Sequence, residues 1–374
     1  RAAKRTAQQY ASNETLRLLE RALSLTPAED LQTRYELLYD QAIQREQQAQ
    51  RKSQQACLEA LQAAAAALQA QHPPTRGQPV PLAEAALFQA RFENDIGNYT
   101  NAIRNAQTAI SLARQAANGV EQAQAFLVWG EALTRQGDYN NAHFQLQQAL
   151  RLSRHHGLPN VEATTLRILG NILLDQGLYS EAIVAYQHSL SVSQQIGDRW
   201  NECWVLNDLG LALYYQGEIV QSQTMLQQAI QDSHAIGNQK CEAYALGNLG
   251  DLSSRQGEYT LSRGLHQRSL LICQTISDRL GEAMALCNLG ALYDHYGASE
   301  EAYHYLQRAH SLHVQIGNRS GEGETLAALS LWAYRRSDLV NALDYNQRAL
   351  DISQPGNDRN LLATIFTWRG HIYL

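Results

Sequence analysis

The sequence predicts an all-α solenoid built from helical hairpins. Three observations predict it. Gly130, Gly170, Gly210, Gly250, Gly290 and Gly370 stand on a comb with a spacing of forty residues, broken at Ser330. A second comb, seven residues downstream, holds Gly97, Gly137, Gly177, Gly217, Gly257 and Gly297, broken at Ser337. No stretch alternates apolar and polar residues long enough to make a sheet. Self-similarity at such a period marks stacked supersecondary units.

Each unit opens on a helix, here called helix A. Around Gly250 it carries Ala243, Leu246 and Leu249; the matching residues include Ala163, Leu166 and Leu169, then Cys203, Leu206 and Leu209, then Ala283, Leu286 and Leu289. That spacing places small and large apolar groups on one helical face. The comb glycine is expected to let a neighbouring helix approach closely. Gly257-Glu258-Tyr259 and its equivalents then make a turn, since glycine tolerates a left-handed backbone after a helix end.

The second helix, helix B, has small residues twelve and nineteen positions after the comb glycine: Ala142 and Ala149, Ala182 and Ser189, Ser222 and Ala229, Ser262 and Ser269, Ala302 and Ala309, Ala342 and Ala349. Small residues seven apart permit tight helix packing. Asp198, Asn238, Asp278 and Asn318 follow helix B and suit the N-cap of the next helix A. Glu202, Glu242, Glu282 and Glu322 then favour its first turn.

The first eighty residues lack the comb. Ala11–Leu25 reads as a helix capped near Ser12 or Asn13, followed by helices over Leu31–Gln50 and Ser53–Gln71. His72–Pro79 is a loop. The expected organisation is therefore a divergent helical segment over 1–80. A solenoid of about seven full repeats plus a terminal helix is expected over 81–374.

Composition bounds the function. The net charge of −6 argues against nucleic acid. The alanine-rich run Ala63–Leu68 is far short of a membrane span. Cys57, Cys203, Cys241, Cys273 and Cys287 form no CxxC pair and read as reduced core residues of a cytoplasmic protein. His155, His156, His304, His310 and His313 have no ligand partners at metal spacing, so no metal, cofactor or catalytic residue is expected.

The leucine pair, the comb glycine, the Gly-x-Tyr turn and the two small helix-B residues resemble the tetratricopeptide-repeat signature in a forty-residue version. The resemblance implies a right-handed α-α superhelix that acts as a non-enzymatic binding scaffold. The run from "YASNETLRLLERAL" to "LEALQAAAAAL" also resembles the segment that follows the ATPase core in large bacterial STAND-type signalling ATPases. It implies that the chain is part of a longer signalling protein. The chain itself holds no GxxxxGK[ST].

Helix-A positions that vary between repeats are free for recognition, and the resemblance implies that they line a concave groove. Early repeats offer Glu131, Arg135, Arg167, Asn171 and Asp175 there. Middle repeats offer Trp204, Asn207, Asp208, Tyr214, Tyr215, Tyr244, Asn248, Asp251 and Arg255. Later repeats offer Met284, Asn288, Asp294, His295, Tyr334 and Arg335. Asn248 and Asn288 match the offset at which such proteins bind a peptide backbone, which an amide suits as donor and acceptor. Trp204 and Tyr244 read equally as ligand anchors or as interhelical filling. Asp208, Asp251 and Asp294 interrupt the arginines, so no basic carboxylate clamp is evident. The function expected is peptide or protein binding. Small-ligand sensing and structural self-association are the alternatives. Leu362, Ile365, Phe366 and Trp368 are expected to be exposed or covered by a second copy, giving self-association through the C-terminal end.

Overall fold

A computed structural model describes residues 2–47, 51–353 and 359–373. Among them are eighteen α-helices and no strand. By contacts the chain divides into two units: Arg1–Asp95 with Thr100–Trp129, and Ile96–Tyr99 with Gly130–Leu374.

The first unit holds α1 (Ala2–Leu25), α2 (Leu31–Gln47), α3 (Arg51–Gln71), α4 (Pro81–Asp95), α5 (Tyr99–Gln115) from Thr100 onward, and α6 (Gly119–Arg135) as far as Trp129. Helix α1 runs through Ser12 and Asn13, so the cap expected there does not exist. Positions 48–50, the end of the second expected helix, lie outside the described residues. Successive helices among α1 to α4 pack on one another. The alanine-rich face of α3 buries Leu61 and Ala65 completely. Asn118 caps α6 by accepting from the Val120 and Glu121 amides, and its side chain donates to the Gln78 carbonyl at 3.1 Å. Glu121 in turn accepts from the Val80 amide at 2.8 Å, and Tyr35 donates to Glu84.

The second unit is a run of A/B hairpins. Its B helices begin with α7 (Tyr139–His156). The full hairpins are α8 (Pro159–Asp175) with α9 (Tyr179–Ile196), α10 (Arg199–Gln216) with α11 (Ile219–Ile236), and α12 (Gln239–Arg255) with α13 (Tyr259–Thr275). Then come α14 (Arg279–His295) with α15 (Ser299–Ile316), α16 (Arg319–Tyr334) with α17 (Leu339–Ser353), and α18 (Arg359–Tyr373). Each helix packs on the next, and each A helix from α8 onward also touches the next A helix. The A helices therefore form one continuous wall.

The turn comb behaves as its glycines require. Gly137, Gly177, Gly217, Gly257 and Gly297 all have positive φ, and Ser337 takes the same left-handed conformation at φ 59°. Asp198, Asn238, Asp278 and Asn318 accept the backbone N–H three residues on, at the start of α10, α12, α14 and α16. They are N-caps.

The other comb has a more specific cause than general close approach. A Cβ on Gly130, Gly170, Gly210, Gly250 or Gly290 would stand 2.5–2.7 Å from the side chain sixteen residues later: Leu146, Tyr186, Leu226, His266 or Leu306. Each of those side chains is buried, and each fills the hole its glycine leaves. Gly370 meets nothing within 4 Å. The small helix-B residues are buried throughout. Ser189 and Ser269 donate to the Ala163 and Ala243 carbonyls at 2.7 Å, tying helix B to its own helix A.

The C-terminal apolar stripe is not left as a whole to solvent or a second copy. Ile365 is fully buried against Leu326, Leu329 and Leu350 of its own chain. Leu362 packs beside the same cluster, Trp368 is half-buried, and Phe366 remains 52% exposed. Leu374 lies outside the described residues.

Candidate functional site

The variable stripe of helix A lies on the wall, and most of its polar groups bond across the seam between successive A helices. Arg167 on α8 binds Asp208 on α10 at 3.0 Å and donates to the Asn201 side chain at 3.2 Å. Asn207 donates to Asp208 at 2.9 Å and accepts from Asn248 on α12 at the same distance. Asn288 on α14 donates to Asp251 on α12 at 3.2 Å. Arg335 and Arg336 both bind Asp294 on α14, at 2.7 and 2.8 Å. Asn171 lies 2.8 Å from the Tyr186 hydroxyl.

These bonds change what the stripe presents. Asn207, Asp208, Tyr214 and Asp294, expected on an exposed face, are buried. Each is covered by a residue of a neighbouring A helix or by its own flank. Asn248, Asn288 and Asp251 remain partly open. Asn248 and Asn288 each use one amide N–H on the wall.

The aromatics join the same surface. Trp204 meets Tyr244 edge-to-face at 5.3 Å, with the Arg167 guanidinium 5.6 Å from the Trp204 ring. The Arg255 guanidinium lies 4.1 Å over Tyr214. Tyr215 is exposed and stacks on Tyr179 at 5.6 Å. His295 packs against Tyr259 at 4.7 Å. A cation over an aromatic face at such range stabilises both the ring position and the charge.

Charges also act across the unit. Burial pushes the Tyr244 phenol well up, Asp278 adds to this, and Arg135 on α6 opposes it. The Tyr215 phenol is pushed up too: the surrounding protein desolvates it although the residue is 41% exposed, and Glu324 on α16 is the next largest cause. Helices three repeats apart thus feel each other's side chains.

Sequence reasoning missed His266. It occupies the hole under Gly250, where three other repeats place leucine. Its Nε2 is 3.4 Å from Asp251 Oδ1, and its Nδ1 is buried without a partner. Burial lowers its pKa to about 4, so it stands neutral. Burial also raises the Asp251 carboxyl to about 7, against the opposing pull of Arg255 and Asn288. The signal in the sequence is a histidine at the repeat position that Leu146, Leu226 and Leu306 fill elsewhere.

No group of His, Cys, Asp and Glu among the described residues could hold a metal ion. Burial pushes the Cys203, Cys273 and Cys287 thiols up to about 12, which makes them poor nucleophiles. No helix of the described residues is long and apolar enough to cross a membrane.

A family model described as tetratricopeptide repeat matches residues 161–232 and 241–313. These spans are tetratricopeptide repeats. The chain is similar over 95% of its length to a Rap protein solved in complex with competence and sporulation factor, at 12% identity, a TM-score of 0.71 and 99% of that chain. It is similar over 93% of its length to the Rap conjugation gene regulator of plasmid pLS20 in complex with the Phr* peptide, at 12% identity, a TM-score of 0.63 and 96% of that chain. The apo form of RapI matches 73% of this chain at 14% identity, with a TM-score of 0.54 and 98% of that chain covered. At these identities the tetratricopeptide superhelical fold is what the structures share. A comparison with curated proteins finds no match.

Proposed function

We propose that the chain is a non-enzymatic peptide-binding module whose ligand lies along the A-helix wall of the second unit. The observation that carries this reading is the row of partly open amides, Asn248 and Asn288, fixed by hydrogen bonds to Asn207 and Asp251. A side-chain amide held by its neighbour offers its remaining donor and acceptor at low entropic cost, which suits an extended peptide backbone. Two of the similar structures are complexes with a peptide or a factor, which supports the same reading. Trp204, Tyr215 and Tyr244 supply rigid anchors of the kind that dominate binding energy.

The setting proposed is the cytoplasm, within a larger bacterial signalling protein. It rests on the resemblance of the first eighty residues to the segment after a STAND-type ATPase core. Phe366 is the residue through which self-association of this chain is proposed.

The test is affinity selection from a random synthetic hexapeptide library on the full chain. Binders should be recovered, and the N248A/N288A variant should lose them by about tenfold or more. Recovery of no binder, or binders indifferent to both asparagines, overturns the reading.

A further inference from the structure

Five comb glycines carry a facing side chain in the hole they leave, and the sixth does not. A Cβ on Gly370 would meet nothing within 4 Å. The rest of that face of α18 is open too. Ala363 and Phe366 stand where the repeat around Gly250 has Ala243 and Leu246. Ala243 and Leu246 are buried, whereas Ala363 and Phe366 are exposed. Arg369, just before the glycine, turns to α17 and donates to Gln347 at 2.6 Å. Among the described residues, α18 is a helix A whose helix-B face is bare.

Helix α1 is the converse. Thr15, Leu19 and Ala22 repeat the spacing of Ala182, Tyr186 and Ser189 on α9. In every helix B from α7 to α17 these three positions are buried. On α1, Thr15 is exposed, and Leu19 and Ala22 are only half-buried. Leu18 and Leu25 on the same helix are 62% and 75% exposed. The equivalent of Leu18 is Leu265 on α13, which packs into the cluster of Leu249 and Leu252 on its own helix A. Helix α1 packs on α2, so it is a helix B whose helix-A face is bare.

We propose that these two faces are each other's partners, so that α18 of one copy receives α1 of a second copy head to tail. Leu19 fills the Gly370 hole as His266 fills that of Gly250, and Ala22 lies on Ala363 as Ser269 lies on Ala243. The contact covers Leu18, Leu25 and Phe366. Two copies of α18 face to face fit less well, because each brings an empty glycine hole and neither brings the side chain that fills one. This rests on the self-association proposed through Phe366 and names the segment that Phe366 meets. The contact is heterologous, so a joined pair keeps one free α1 and one free α18 and grows until a ring closes.

Sedimentation velocity of the full chain over a concentration series tests this. The mass of the wild type should rise with concentration. L18E and F366E change exposed residues, and each should weaken association about tenfold or more, because each places a charge in the contact. Mixed in equal amounts, the two variants should pair one to one, since L18E keeps an intact α18 and F366E an intact α1. That pairing also controls for folding, because a misfolded variant could not supply the missing face. Gly370→Leu adds apolar surface but fills the hole, so it should weaken association as well. Stronger association of Gly370→Leu would mean non-specific adhesion and overturns the proposal. Wild-type association by L18E, or no pairing in the mixture, also overturns it and leaves self-association through Phe366 standing. A monomeric wild type throughout the series overturns both.

Discussion

A Cβ on Gly210 would stand 2.7 Å from Cγ of Leu226, and Leu226 is fully buried. Neither residue has room to yield. Gly210→Ala should therefore destabilise the protein by roughly 1–3 kcal/mol, despite a gain of about 1 kcal/mol in helix propensity. Gly370→Ala, on α18 with open space around it, should instead stabilise by up to about 1 kcal/mol. Urea denaturation of both variants reads the two signs directly. Equal effects would show that the comb serves something other than the facing side chain.

Ala182 is fully buried in a cluster with Tyr186, Val205 and Leu209. Ala182→Leu should overpack this α9–α10 contact and cost roughly 1–3 kcal/mol. Thermal denaturation with no loss would remove Ala182 from the packed interface.

Acid should act through His266 and His313. Burial lowers both from 6.5 to about 4, with the His310 charge adding to the effect at His313. Asp251 faces His266, and Asn318 faces His313 at 3.0 Å. A base with a depressed folded pKa contributes stability that is fully present above 6.5 and is lost as the pH falls toward 4. The loss amounts to roughly 3 kcal/mol per group. His266→Leu, which restores the residue used in the neighbouring repeats, should raise stability much more at pH 5 than at pH 8. A gain independent of pH would show that His266 is not held neutral.

Ser337 holds φ 59° where the other repeats have glycine at 73° to 91° in the same turn. A side chain in that region costs roughly 1–2 kcal/mol. Ser337→Gly should recover about 1 kcal/mol, seen as a higher melting temperature. An unchanged melting temperature would mean that Ser337 sits there without strain.

The elements legible in the sequence were those where likeness between repeats reports a shared backbone need. Positive φ after helix A, N-caps at Asp198 and Asn238, and small residues at Ala182 and Ser222 are of this kind. The side chain facing each comb glycine was not legible. Leu, Tyr and His serve there in turn, so repetition hides the position, and a distance of sixteen residues crosses a turn. The wall was legible as a stripe but not as a surface. Whether Asp208 is open depends on Arg167, forty-one residues earlier, and that pairing follows from how two A helices are set side by side. The cap expected at Ser12 or Asn13 failed because nothing in a repeat pattern constrains a segment that does not repeat.

The two sets of contacts also differ in what would survive transplantation. The glycine and the residue that fills its hole, Gly170 with Tyr186, lie within one hairpin. The bridges of the wall, Arg167 with Asp208 and Asn248 with Asn207, join one hairpin to the next. A single hairpin grafted into another array would bring its comb contact intact but would arrive with half of each bridge. Exchanging repeats in this chain should thus rewrite the bridges at the junctions while leaving each comb contact in place. The comb contact belongs to one repeat, whereas the bridged surface belongs to the boundary between two.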